Sequence, residues 1–275
     1  MFSTKSKTHL LIIILLLLCQ SITNFAQQSS FKKPKIPTNT ALPQKAVLIG
    51  TEYNAQMPIG KLADRFGFTS GIGLNVLYKN TSNWLWGFEA RFVTGKSVKE
   101  DSLLTNLHTS DGYLIGSDGL YVNMGLAQRG WHGGIKFGKM FSLNDKKPNA
   151  GLCVWAGVGY LRHKIYFDNK DNIVPQIAGE YAKGYDRLTG GFALSQFFGY
   201  MMLDAQKHLN FYAGIEAMQA LTKLQRSYLF DVAHADAEQR IDLLLGIKIG
   251  WILPLYSPKA IEGEGEEKKK RYYTN

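Results

Sequence analysis

Residues Gly67 to Val93 read GFTSGIGLNVLYKNTSNWLWGFEARFV, two alternating stretches joined by the polar turn Lys79-Asn80-Thr81-Ser82-Asn83. In the first stretch Phe66, Phe68, Ile72, Leu74, Val76 and Tyr78 share one parity, and Gly67, Thr69, Gly71, Gly73 and Asn75 share the other. In the second, Trp84, Trp86, Phe88, Ala90 and Phe92 fall on one face, opposite Gly87, Glu89 and Arg91. Period-two alternation marks β-strands. A soluble sandwich alternates too, but it hides its apolar face against a second sheet. Here the polar face combines glycine with opposite charges, which suits a narrow, polar barrel interior with lipid outside.

Further alternating stretches follow the same rule. Lys45 to Gln56 puts Val47, Ile49, Thr51, Tyr53 and Ala55 outward and Glu52 and Asn54 inward. Trp131 to Phe141 puts Trp131, Ile135, Phe137 and Phe141 outward, with His132 and Lys136 inward. Gly151 to His163 puts Leu152, Val154, Ala156, Val158 and Tyr160 outward, with Cys153, Trp155 and His163 inward. Arg187 to Met202, Leu209 to Ala220 and the run from Ile241 to Leu253 complete a predicted set of eight. The connections alternate long and short. Met57–Arg65, Thr94–Tyr121, Tyr166–Tyr185 and Thr222–Glu238 are the longer ones. The expected fold is therefore all-β: an eight-stranded antiparallel transmembrane outer-membrane β-barrel, an up-and-down meander with long external loops and both termini periplasmic. A ten-stranded barrel with an extra hairpin at Tyr113 to Ile115, and a soluble secreted β-sandwich, are the competing folds.

The flanks divide the chain further. Lys5 and Lys7 precede the apolar run Leu10 to Leu18, which is followed by Ser21-Ile22-Thr23-Asn24-Phe25-Ala26. That is the order of a secretory signal peptide, expected over residues 1–26, with an uncleaved anchor helix as the alternative. Residues 27–44 form a basic, proline-containing leader, 45–256 the barrel, and 257–275 a charged periplasmic tail. Only Cys153 remains beyond the signal segment, so no internal disulfide is expected. The net charge of +10 comes without a clustered basic platform, which argues against nucleic acid.

Inward parity gathers Glu52, Glu89, Arg91, Lys136, Glu216, Asp242 and Lys248 into one compartment. An eight-stranded barrel is only wide enough for side chains to fill it or to hold something small. Opposite charges with hydrogen bonds can compensate one another there. The first reading is a plugged core of interleaved ion pairs. The alternative is a narrow proton or ion path lined in part by His132 and His163. The histidine spacing supplies no metal motif, and no cofactor is expected. Ser195 and His163 enter only a permissive search for a hydrolase, so no enzyme is expected. Gly71-Ile72-Gly73 and Gly157-Val158-Gly159 lie inside strands and lack the context of phosphate loops; they relieve crowding in a curved sheet. Trp84, Trp86, Trp131, Tyr160, Tyr200, Trp251 and Tyr256 are candidates for aromatic belts at the membrane interfaces. In the tail, Glu266, Glu267, Lys268, Lys269, Lys270, Arg271, Tyr272 and Tyr273 form a candidate partner-binding segment, with charges for steering and tyrosines as anchors.

The signal segment with Asn24-Phe25-Ala26-Gln27, the alternating segments, and the last strand GIKIGWILPLY followed by a tail ending RYYTN resemble small outer-membrane β-barrel proteins of Bacteroidetes, the broad porin-family and PorT-like group. The chain departs from that pattern in that its last strand is internal. The resemblance implies a non-enzymatic structural or accessory subunit of an envelope complex, linked to type IX secretion or gliding. It carries no functional residues across. A narrow porin-like channel for small solutes or ions is the alternative. Expected partners are outer-membrane lipid and lipopolysaccharide, and an envelope protein met through the external loops or the periplasmic tail.

Overall fold

The computed structural model describes residues 44–100, 102–144, 147–169, 173–203, 210–232 and 238–256. The signal segment, all but the last residue of the leader, the Asp204–His208 return and the tail from residue 257 lie outside the described residues. Eight long strands form one antiparallel sheet: β1 (Ala46–Ile59), β2 (Thr69–Lys79), β3 (Trp84–Gly95), β6 (Leu126–Ser142), β7 (Ala150–Phe167), β8 (Thr189–Met202), β9 (Phe211–Leu224) and β10 (Gln239–Tyr256). Each pairs with its sequence neighbour in the sheet, and β1 pairs with both β2 and β10, so the sheet closes on itself. The remaining strands, β4 (Leu114–Ile115) and β5 (Tyr121–Val122), form a separate two-stranded sheet. The hairpin near Tyr113 thus exists, but it stands outside the barrel and does not raise the strand count to ten.

The connections segregate by length. Residues 80–83, 143–149 and 203–210 join strands at one end, where Ala46 also pairs with Tyr256. Residues 60–68, 96–125, 168–188 and 225–238 join them at the other. The tightest turn is built by its asparagines. Asn83 adopts φ 61°, a left-handed conformation asparagine tolerates. Asn80 Oδ1 accepts hydrogen bonds from the backbone N–H of Ser82 and of Trp84, both at 2.9 Å.

Strand boundaries differ from the sequence expectation mainly by extension toward the long-loop end. β6 begins at Leu126, β7 continues to Phe167 and β9 to Leu224. Within the long connection after β3 the chain makes a single 3-10 turn at Thr105–Leu107, and Lys61–Arg65, expected as connection, is a short α-helix, α1. Phe66, expected on the outer face, is wholly buried. The chain has left the barrel there: Phe66 bridges Val98, and Gly67 N–H donates to Ser97 O. No described helix is long and apolar enough to cross a membrane, which has no bearing on strands.

The two faces of the barrel are inverted relative to a soluble protein. Outward positions carry large apolar side chains left open, among them Phe88 at 68%, Ile72 at 66% and Ile247 at 60% exposure. Inward positions bury Glu52, Glu89, Arg91, Lys136, Glu216 and Lys248 almost completely.

Candidate functional site

The lumen is filled in three sections. At the short-turn end Leu48, Leu77, Leu85, Met140, Met201 and Ile252 pack together with Cys153, capped by Trp155, Phe197 and Tyr212. Trp155 stacks on Phe197 with ring centroids 3.9 Å apart, and Tyr212 meets both edge-on. Glycines make that space. A Cβ on Gly250 would lie 2.3 Å from Tyr212 Cζ, and one on Gly199 2.6 Å from Phe197 Cζ. At the end itself, Lys79 Nζ donates to Gln44 O at 3.0 Å and to Asn149 Oδ1 at 2.9 Å.

The middle section is a neutral cluster of three acids and three bases from five strands. Lys248 Nζ on β10 lies 2.7 Å from Glu89 Oε2, 2.9 Å from Glu216 Oε1 and 3.2 Å from Glu52 Oε1. Arg91 Nη1 meets Glu216 Oε2 at 2.5 Å, and Lys136 Nζ meets Glu89 Oε2 at 3.0 Å and Glu52 Oε2 at 3.8 Å. Neutral donors complete the carboxylates. Tyr212 Oη and Asn75 Nδ2 donate to Glu52 at 2.8 and 3.1 Å, and Asn54 and Gln56 donate to Glu216 at 2.8 and 3.0 Å. Lys136 also sits 4.9 Å from the Trp155 ring centroid, which joins this section to the aromatic one below. His132 is buried beside the cluster, its Nδ1 3.6 Å from Glu89 Oε1.

Asp242, grouped by parity with those six charges, lies apart from them. Its Oδ2 accepts from Thr222 Oγ1 at 2.8 Å and lies 3.0 Å from His163 Nε2, near the long-loop end. Phe66 closes over His163 edge-on at 5.5 Å. Around this pair Val93, Leu161, Ala193, Met218, Ala220 and Leu244 form the third, apolar section of the lumen. Ser195 and His163 are not brought together. Ser195 is opposite Gly157 and His163 opposite Thr189 in the β7–β8 register, about 20 Å apart along the strands. Among the described residues no group of three or more His, Cys, Asp or Glu is arranged to hold a metal.

The long loops form a cap that the sequence pattern did not foretell. Leu62, Leu103, Leu104, Leu114, Val174, Ile177 and Tyr185 converge from three loops onto the upper apolar section. A relay of charges ties all four loops together. Arg65 Nε meets Glu100 Oε1 at 2.6 Å, Arg187 Nη1 meets Glu100 Oε2 at 3.3 Å, and Arg187 also pairs with Asp231. Beside it Arg226 grips Asp186 through both carboxylate oxygens, at 2.8 and 2.5 Å. That hydrogen bonding raises the Arg226 guanidinium further above its ordinary pKa, while burial lowers that of Arg65 despite Glu100. The only sequence hint was apolar residues such as Leu103-Leu104 and Ile177 within loops otherwise rich in polar residues.

On the outer surface Trp84, Trp86, Tyr200 and Trp251 are exposed toward the short-turn end, and Trp131 and Tyr160 toward the long-loop end. Tyr256 does not belong with them. It shares the inward parity of Lys248 and Ile252 and packs against the lower apolar section. The tail residues Glu266 to Tyr273 lie outside the described residues.

No protein-family model and no curated protein matches the chain. Solved structures do. One is Ail, the attachment invasion locus protein of Yersinia pestis, in complex with the heparin analogue sucrose octasulfate, at 13% identity over 78% of this chain and 100% of that one, TM-score 0.33. Another is the N-terminal β-barrel domain of Pseudomonas aeruginosa OprF, at 10% identity over 75% and 97%, TM-score 0.34. A third is Neisserial surface protein A, at 9% identity over 74% and 96%, TM-score 0.36. The chain is an antiparallel all-β protein with an eight-stranded sheet, distantly similar to these small barrel proteins.

Proposed function

We propose that the chain is a non-enzymatic transmembrane barrel of an outer membrane, sealed to solutes, that serves as a structural or accessory subunit and presents its loop cap outward. The observation that carries this reading is the inversion of the two faces. Charges that are neutralised inside, with a girdle of exposed aromatic and aliphatic side chains outside, form a stable arrangement only where lipid replaces water around the barrel. The barrel strands run from 11 residues (Thr69–Lys79) to 18 (Ala150–Phe167 and Gln239–Tyr256), sufficient for a tilted crossing. The short turns and the ends of β1 and β10 then face the periplasm, and the long loops face outside.

A narrow channel is the second reading, favoured by the six charges at mid-lumen. Apolar packing opposes it: Leu48, Met140, Met201 and Ile252 fill the lumen below the charges, and above them Val93, Leu161, Met218 and Leu244 surround the hydrogen-bonded Asp242, His163 and Thr222. The type IX secretion or gliding role rests on the sequence resemblance alone. Two measurements divide these readings. Purified protein in planar bilayers is expected to give no steady conductance, and a reproducible ohmic step would favour the channel. A mild-detergent pulldown of the full chain from its own outer membrane, against one truncated after Tyr256, is expected to yield a stoichiometric envelope partner. A solitary barrel in both samples would overturn the accessory role.

A further inference from the structure

Four cations lie together on the outer face of β6 to β9, just below the long loops. In the strand registers Arg129 is opposite Lys164, Trp131 is opposite Arg162, Arg162 is opposite Gly190, and Gly190 is opposite Lys223. Strand alternation turns all four cations outward, with neighbouring strands about 4.8 Å apart. Their charge is largely uncompensated among the described residues. Arg129 lies over the Tyr166 ring, 3.3 Å from its centroid, and is paired with no carboxylate. Lys164 alone approaches one, Asp186 at 3.5 Å, and Asp186 is already held by Arg226 through both oxygens.

The surface beneath these cations is apolar and concave. Trp131 and Tyr160 come first, their rings 5.8 Å apart. Below them Trp86 and Phe88 of β3, Ile135 and Phe137 of β6, and Ala156 and Val158 of β7 frame a recess of about 450 Å³. Ala156 is the smallest of the outward side chains that line it. From Arg162 to the recess at Val158 is four residues, about 13 Å along β7.

We propose that this face binds a phosphorylated, multiply acylated glycolipid of the outer leaflet, with its phosphates on Arg129, Arg162, Lys164 and Lys223 and one acyl chain in the recess. The inference rests on the transmembrane reading with the long loops outside. The two arginines offer the planar fork that matches phosphate oxygens, and an adjoining apolar recess selects an amphiphile over a soluble anion. The rim position selects the outer leaflet.

The test uses the full chain purified in mild detergent from its own outer membrane, with native mass spectrometry and a phosphorus-to-protein ratio. About one phosphorylated glycolipid per chain is expected on the wild type. The variant R129Q/R162Q/K164Q/K223Q should retain at least about tenfold less, the scale of losing one charge-assisted hydrogen bond. The variant K45Q/K139Q/K147Q, which removes cations at the opposite end, should retain as much as wild type. Ala156→Phe, which fills the recess and leaves every charge, should lower retention several-fold. A heat-dependent shift in gel mobility reports that each variant is folded. Equal retention by the quadruple variant, or equal binding of added lipid A with its phosphates enzymatically removed, would overturn the proposal. So would tight binding of inorganic phosphate alone. A protein that stays soluble without detergent and binds no vesicles would instead overturn the transmembrane reading beneath it.

Discussion

Replacing Lys248 with methionine removes the one cation that touches all three carboxylates of the mid-lumen cluster, at 2.7, 2.9 and 3.2 Å. What remains is Glu52, Glu89 and Glu216 against Arg91 and Lys136, a net charge of −1. Glu216 keeps Arg91 at 2.5 Å and Glu89 keeps Lys136 at 3.0 Å, so the deficit falls on Glu52, whose next cation is Lys136 at 3.8 Å. An uncompensated buried charge of this kind costs about 3–5 kcal/mol. Adding Glu52→Gln removes that charge while leaving an amide oxygen for Tyr212 and Asn75. The pair K248M/E52Q should therefore be more stable than K248M alone by about 2–3 kcal/mol, a coupling typical of contacting residues. The assay is urea unfolding of protein folded into phospholipid vesicles, followed by tryptophan fluorescence. A K248M protein within about 0.5 kcal/mol of wild type, or a double variant no better than the single, would refute the reasoning and imply a hydrated lumen that screens the charge.

Other perturbations reach different parts of the molecule. Gly250→Val would drive its side chain into the Tyr212 ring and break the 2.8 Å bond to Glu52, with an expected loss of about 1–3 kcal/mol in the same urea assay. Tyr212→Phe should cost about 1.5–3 kcal/mol by removing only the hydroxyl donated to a carboxylate. Glu100→Gln cuts the relay between Arg65 and Arg187; limited proteolysis should then show faster cleavage in more than one long loop, and cleavage confined to residues 96–125 would contradict a shared cap. Asp242→Ala leaves Thr222 and His163 without their acceptor and should lower stability by about 1–3 kcal/mol, with a smaller effect pointing to water in the upper section.

Alternation made most of the wall legible, because period two assigns a face to each residue without reference to its partners. The inward placement of Glu52, Glu89, Arg91, Lys136, Glu216 and Lys248 followed from parity alone. Height along the barrel did not. Asp242 shares their face, but the register lifts it to His163 and Thr222, and strand register depends on turn geometry. Tyr256 was legible and misassigned: it has the parity of Lys248, not of Trp251. Phe66 continued the rhythm of β2 in sequence, yet the backbone turns away between Phe66 and Thr69 to pair with Val98. The loop cap had no periodic signature, since the relay from Arg65 to Asp231 joins residues remote in sequence.

The seam between β1 and β10 sets the order in which the molecule can assemble. It joins Ala46 to Tyr256, the two ends of the described barrel, and so carries the largest loop-closure cost of any strand pair. Lys248 rides on that last strand, so Glu52 and Glu89, contributed by β1 and β3 and sharing Lys136 until then, gain the nearer of their two common cations when the last strand docks. A slip of one residue in β10 would turn Lys248 onto the apolar outer face and Ile247 and Ile249 onto the acids. Correct closure is thus the arrangement in which the early carboxylates are neutralised, and the hub lysine acts as a check on register at the final step of folding.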